Sequence, residues 1–201
     1  MAPLAALLVA LLAILPIECA HGSEVAARAA PGCVIGGGGF LRARMRGALD
    51  LDIAWSDAQM ECDGGPRPDG KGLRVTIAGP GGATGRRLRF VFGIADTAEG
   101  STVTARSANL TVIFEGEQRI FATRGDDKCT LDELRQDRIG ALGGPRRSWK
   151  VAGRGFCIAP ATAIRGAARV LVSRFDFASQ ITFEDAADHA PLLPRRLHSP
   201  R

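Results

Sequence analysis

Histidine is almost missing from this 201-residue chain, and its placement sharpens the absence. His21 lies in the opening apolar segment, and His189 and His198 lie near the end, so residues 41–186 contain none. Nucleophilic catalysis of the Ser-His-Asp or Cys-His kind is therefore not expected. Most zinc and copper sites are not expected either, since imidazole is their usual ligand. Tyrosine is absent altogether, and aromatic residues make up only 5% of the chain. Platforms that stack bases or sugars need several exposed aromatic faces beside polar groups, and the sequence offers no such interleaving. Lysine occurs only at Lys71, Lys128 and Lys150, and no run of five basic residues exists. The net charge of +5 rests on arginine in a chain also rich in Ala, Gly and Pro. That pattern is read as a GC-rich, bacterial coding bias, and no nucleic-acid partner is expected.

Long apolar runs are scarce too. Leu4 to Ile17 is the main one, and it has the length of a signal-peptide core rather than of a membrane-spanning helix, which needs about 20 residues. Ala20-His21-Gly22 follows as a small-residue cleavage pattern, so residues 1–22 are read as a signal peptide with no transmembrane segment after processing. Pro16 and Glu18 stand where a lipobox requires Leu and a small residue, which argues against lipidation at Cys19.

Beyond that segment four cysteines remain: Cys33, Cys62, Cys129 and Cys157. No C-x-x-C pair is present, so the spacing does not suggest zinc. An even count in an exported chain points to disulfides, and sequential pairing, Cys33 with Cys62 and Cys129 with Cys157, is the preferred connectivity. No free thiolate would then be left for chemistry.

What is abundant is strand periodicity. Residues 23–40 form a Gly-rich irregular lead-in, since Gly36 to Gly39 suit a bend and lack the Lys-Ser or Lys-Thr of a phosphate loop. In "ALDLDIAW" Leu49, Leu51, Ile53 and Trp55 alternate with polar residues, the period of a half-buried strand. "GLRVTIAG", "RLRFVFGI", "NLTVIFEG" and "RIFATR" repeat the pattern, the last two joined through "EGEQ" as a hairpin. "SWKVAGRGFCI" is a further strand, and "ARVLVSRFDFASQITFED" is one bent strand or two. "ECDGGPRPDGKG" and "ADTAEGSTVTARSA" read as turn and loop, and "TLDELRQ" as one helical turn. Roughly eight short strands without alternating helices predict an all-β fold, an antiparallel β-sandwich of jelly-roll-like or immunoglobulin-like type with at most one short helix. The sandwich is placed at residues 41–186, and residues 187–201 form a Pro/Arg-rich tail expected to be disordered.

Carboxylates are the remaining chemistry. Asp50, Asp52, Asp57, Glu61, Asp63, Asp69, Asp126 and Asp127 lie near turns or strand ends. Two of them converging in a cleft could hydrolyse or cleave a polysaccharide; singly, such residues cap turns or are solvated. Neither Asp-rich loop fits an EF-hand, so no metal and no cofactor is expected. Trp55 is in phase with the core, leaving Trp149 as the one aromatic that could face a sugar. Asn109-Leu110-Thr111 matches a glycosylation sequon at the start of a strand, which is read as chance. Arg124-Gly125-Asp126 matches an adhesion tripeptide, but in so arginine- and glycine-rich a chain one occurrence is weak grounds. A turn leading into Cys129 accounts for it, with Gly125 at positive φ and an aspartate bonding turn backbone. The reading is an exported, non-catalytic binding or structural protein of the bacterial envelope, periplasmic or secreted. Its ligand is a protein or a glycan, and a monomer is expected. The alternative is a carboxylate-dependent polysaccharide hydrolase or lyase.

Overall fold

The computed structural model describes residues 32–82, 86–140 and 146–184. The expected signal peptide, the first half of the lead-in and the expected tail lie outside them. The described residues form eleven strands: β1 (Phe40–Gly47), β2 (Leu51–Ser56), β3 (Glu61–Pro66), β4 (Gly72–Pro80), β5 (Arg87–Ala95), β6 (Val103–Glu115), β7 (Arg119–Ala122), β8 (Cys129–Ile139), β9 (Arg146–Cys157), β10 (Ala161–Ala163) and β11 (Arg169–Glu184). A single 3₁₀ turn, Asp57–Gln59, joins β2 to β3. The fold is all-β and antiparallel, as the periodicity predicts, with eleven strands in place of eight.

One continuous sheet supplies both layers of the sandwich. Its path runs β2-β1-β11-β10-β7-β6-β5-β4-β3, with β9 beside β11 and β8 between β9 and β6. Strand β6 pairs with β8 through Val103–Ser107 and with β7 through Thr111–Phe114. Strand β11 pairs with β10 at its start and with β9 from Phe175 onward. Because β7 pairs with β10 and β8 with β9, the two connections 123–128 and 158–160 open side by side, tied by the Ile158 N–H to the Lys128 carbonyl at 2.9 Å. Cys129 and Cys157 are register partners at that branch and are disulfide-bonded.

The sheet folds over so that β1, β2 and β11 face β4 and β5. Phe92 of β5 meets Phe175 and Phe177 of β11 with ring centroids 5.0 and 4.9 Å apart. Trp55 of β2 stands edge-on to Phe90 at 5.8 Å, buried as its phase requires. Offset and edge-on arrangements of this kind add to the stabilisation that area burial alone gives. The second disulfide, Cys33–Cys62, fastens the lead-in to β3. There Asp57 Oδ1 accepts the backbone N–H groups of Val34 and Gly39, closing the glycine bend against the body.

Three segments depart from the sequence reading and a fourth settles between its two alternatives, each for a local reason. "TLDELRQ" is strand, not helix: Leu131 and Leu134 both reach the core because Asp132 is an extra residue against β9, where Leu131 pairs with Gly155 and Glu133 with Arg154. A bulge thus produces a three-residue hydrophobic spacing that mimics a helical one. Likewise β11 is one strand whose core residues are Val170 and Val172, then Phe175 and Phe177. Ser173 is its extra residue, since Met45 pairs with Val172 and Arg44 with Arg174. Leu171 consequently falls out of phase with the fully buried residues and packs only half-buried against the core. "ECDGGP" is strand β3 rather than turn: its glycines admit β11, and a Cβ on Gly65 would lie 2.7 Å from the Thr182 carbonyl oxygen. Strand glycines often mark such close approach. Finally, the polar stretch from Val103 to Ala108 belongs to β6, where it is needed to pair with β8.

Candidate functional site

The outer face of β2, β1, β11, β9 and β8 carries cross-strand rows of charge. Along β1 the alternation that buries Leu41, Ala43 and Met45 turns Arg42, Arg44 and Arg46 outward. In one row Arg42 is opposite Asp176, Asp176 opposite Arg154, and Arg154 opposite Glu133. The ion pairs follow: Arg42 Nη1 to Asp176 Oδ2 at 3.6 Å, and Arg154 Nη2 to Glu133 Oε2 at 3.0 Å. In the next row Asp52 is opposite Arg44, and Arg44 opposite Arg174. Arg46 donates to both Asp52 oxygens, at 2.9 and 3.2 Å, which holds the Asp52 carboxyl below its usual range.

Three adjoining hollows open on this face, of about 530, 180 and 560 Å³, and all border Asp176. The two larger share Ser173 and Arg174, and one of them also takes in Asp132 and Phe156. Both bulge residues, Ser173 and Asp132, therefore line the groove, and bulges commonly re-aim side chains in this way. Among the described residues no carboxylate pairs with Arg174. The groove can offer an anion two guanidinium groups and offer hydroxyl groups both donors and acceptors.

Most other carboxylates singled out from the sequence are engaged in structural contacts. Asp57 closes the lead-in, Glu61 pairs with Arg87, Asp63 with Arg74, and Asp69 with Arg67. Asp50 accepts the Gly47 N–H at 3.2 Å, and only Asp52 reaches the groove. Among the described residues no three His, Cys, Asp or Glu side chains gather as a cation site. Comparison of the chain with family models, curated proteins and solved structures finds no match.

The Arg124-Gly125-Asp126 loop holds the fold's own contacts. Asp126 Oδ1 accepts from Arg67 Nη1 at 3.1 Å and from the Asn109 side-chain amide. Of the two aspartates expected to bond turn backbone, Asp126 instead spans from β6 to the β3–β4 turn through side chains, while Asp127 is held below its usual range by Lys128 first and by its own backbone N–H second. Asn109, the sequon residue, has its amide engaged in that bond. Gly125 has φ +91°, as a turn glycine should, with Asp127 Oδ1 2.9 Å from where a Cβ would stand. Trp149, the aromatic that could face a sugar, is half-buried against the core. Its Nε1 donates to Glu99 Oε1 at 2.9 Å, and Gly100 packs against its ring. Arg147 grips the same carboxylate at 2.7 and 3.0 Å, so Arg147 first and Trp149 second hold Glu99 below its ordinary value of 4.5.

Sequence reasoning missed Arg42, Arg44, Arg154, Arg174 and Asp176. Their one-dimensional signal, charge at every second position of "RARMR" and "SRFDF", is what any solvent-facing strand shows. Only the register of three strands sets them side by side.

Proposed function

We propose that this chain is an exported, disulfide-stabilised binding or structural protein of the bacterial cell envelope, periplasmic or secreted, and that it binds through the groove centred on Asp176 and Arg174. The observation that carries the reading is the groove itself: three adjoining hollows with an unmatched guanidinium. The sheet that bears it is closed by the Cys129–Cys157 bond. Two disulfides favour an oxidising compartment, because cytosolic thiols are kept reduced. The Leu4–Ile17 run and the small residues to Gly22 supply the export signal. No described helix is long and apolar enough to cross a membrane.

Binding is favoured over hydrolysis by the groove's surroundings. A general acid is prepared by apolar burial or by a carboxylate neighbour, whereas Asp176 and Glu133 each face an arginine. Fractionation of cells making the full chain, with sequencing of the mature amino terminus, tests the export half. The expected result is an envelope or medium fraction beginning at Ser23 with no free thiols. An unprocessed cytoplasmic chain with all five cysteines as reactive thiols would overturn it.

A further inference from the structure

We infer that Arg44 and Arg174 together hold the carboxylate of an acidic oligosaccharide, one built from uronate-type sugars, laid along the groove. This deepens the binding reading and rests on it. Elsewhere in the sheet a charged residue opposite another meets the opposite sign: Arg87 with Glu115, Arg42 with Asp176, Arg154 with Glu133, Lys150 with Asp137, and Arg146 with Glu184. Among the described strand pairs, Arg44 and Arg174 are the exception, two like charges directly opposed. Such a pair destabilises an antiparallel ladder unless something neutralises it. Asp52 does so weakly. Its oxygens are taken by Arg46, and Arg44 Nε reaches it only at 3.5 Å. Arg174 has no described carboxylate partner at all. A planar carboxylate placed between the two guanidinium groups would complete the row in the geometry arginine forks favour.

The flanks of the pair say what carries that carboxylate. The next row alternates Arg42, Asp176, Arg154 and Glu133, donors and acceptors in turn, which suits hydroxyl groups that both give and take hydrogen bonds. An acidic peptide carries no array of hydroxyl groups to match that row. Phe156, 38% exposed, shares a hollow with Arg174 and presents an apolar edge to the carbon face of a sugar ring. The two larger hollows, about 530 and 560 Å³ on either side of the Ser173–Arg174 step, each have the size of a small-ligand site.

Calorimetric titration of the disulfide-bonded mature chain decides the matter, with hexagalacturonate, neutral cellohexaose, hexaglutamate and inorganic phosphate as probes. Hexagalacturonate is expected to bind, more weakly at high salt, and cellohexaose, hexaglutamate and phosphate to give no saturable heat. Arg174→Gln and Arg44→Gln should each lower the affinity by about tenfold or more, with Arg174→Lys keeping part of it. The melting temperature of R174Q should match or exceed that of the natural chain, because a like-charge contact is removed. Undiminished binding in R174Q, or no binding of any probe, would overturn the inference. Equal affinity for hexaglutamate would reassign the groove to acidic proteins, and Arg174-dependent saturation by phosphate alone would reduce it to a simple anion site. An unprocessed cytoplasmic chain that nonetheless binds hexagalacturonate would overturn the envelope reading and leave this one standing.

Discussion

Asp126 illustrates how little a tripeptide says before its neighbours are known. Its carboxylate holds Arg67 of the β3–β4 turn and Asn109 of β6, two residues far apart in the chain. Arg67 is well shielded, its side chain 14% exposed, so the contact is better protected than an ordinary surface pair. Gly125 precedes it at φ +91°, a conformation that costs a branched residue on the order of 1 to 3 kcal/mol. Gly125→Val is accordingly expected to lower unfolding stability by about that amount in a denaturant titration. Asp126→Glu should leave cell adhesion unchanged while loosening the loop. Loss of adhesion in Asp126→Glu with an unaltered melting point would restore the receptor motif.

Elements in this protein are defined as much by their irregularities as by their period. The extra residue Asp132 lets β8 bury both Leu131 and Leu134, and Ser173 does the same for Val172 and Phe175 in β11. A one-residue change of register turns every later side chain to the other face. Deleting Asp132 alone should remove the bulge and keep Leu134 and Gln136 inward, whereas deleting Asp132 and Glu133 together should turn Leu134, fully buried, and Gln136 outward. The expected loss for the double deletion is about 2 to 5 kcal/mol, that of emptying a buried leucine site. Asp132→Asn, which keeps the bulge, should change stability by no more than about 0.5 kcal/mol. Chemical denaturation of the variants separates them, and a double deletion as stable as the natural chain would show that β8 slips without cost. The sequence displayed the hydrophobic residues of both strands, but not the bulges, because an extra residue is visible only against a partner.

At the scale of the whole molecule, arginine holds two half-buried carboxylates, Glu99 and Glu115, below their ordinary range. Glu99 lies below the ordinary 4.5 through Arg147 and then Trp149, and Glu115 through Arg89 and then Arg87. A carboxyl depressed in the folded state stabilises the fold above its unfolded value and loses that contribution as pH falls through the folded one. The melting temperature should stay level from neutrality to about pH 5 and decline below 4.5, where the unfolded chain begins to take up protons first. Glu99→Gln should flatten part of that acid slope in calorimetric scans. A melting temperature that rose on acidification from pH 5 to about 3 would contradict the sign.

By itself the sequence determined the strand-forming class, the phase of Trp55, Phe90, Phe92 and Leu110 toward the core, and four cysteines available for two bonds. These follow from period-two alternation and from residue type, which are properties of short stretches. Tertiary structure alone decided that one sheet wraps to make both layers, and that Gly65 lies under β11 rather than in a turn. It also decided that Arg44 of β1 and Arg174 of β11 stand opposite one another. Register between strands 130 residues apart in the chain depends on how the core packs and where the bulges fall. No local pattern encodes that pairing, so the groove came into view only with the fold.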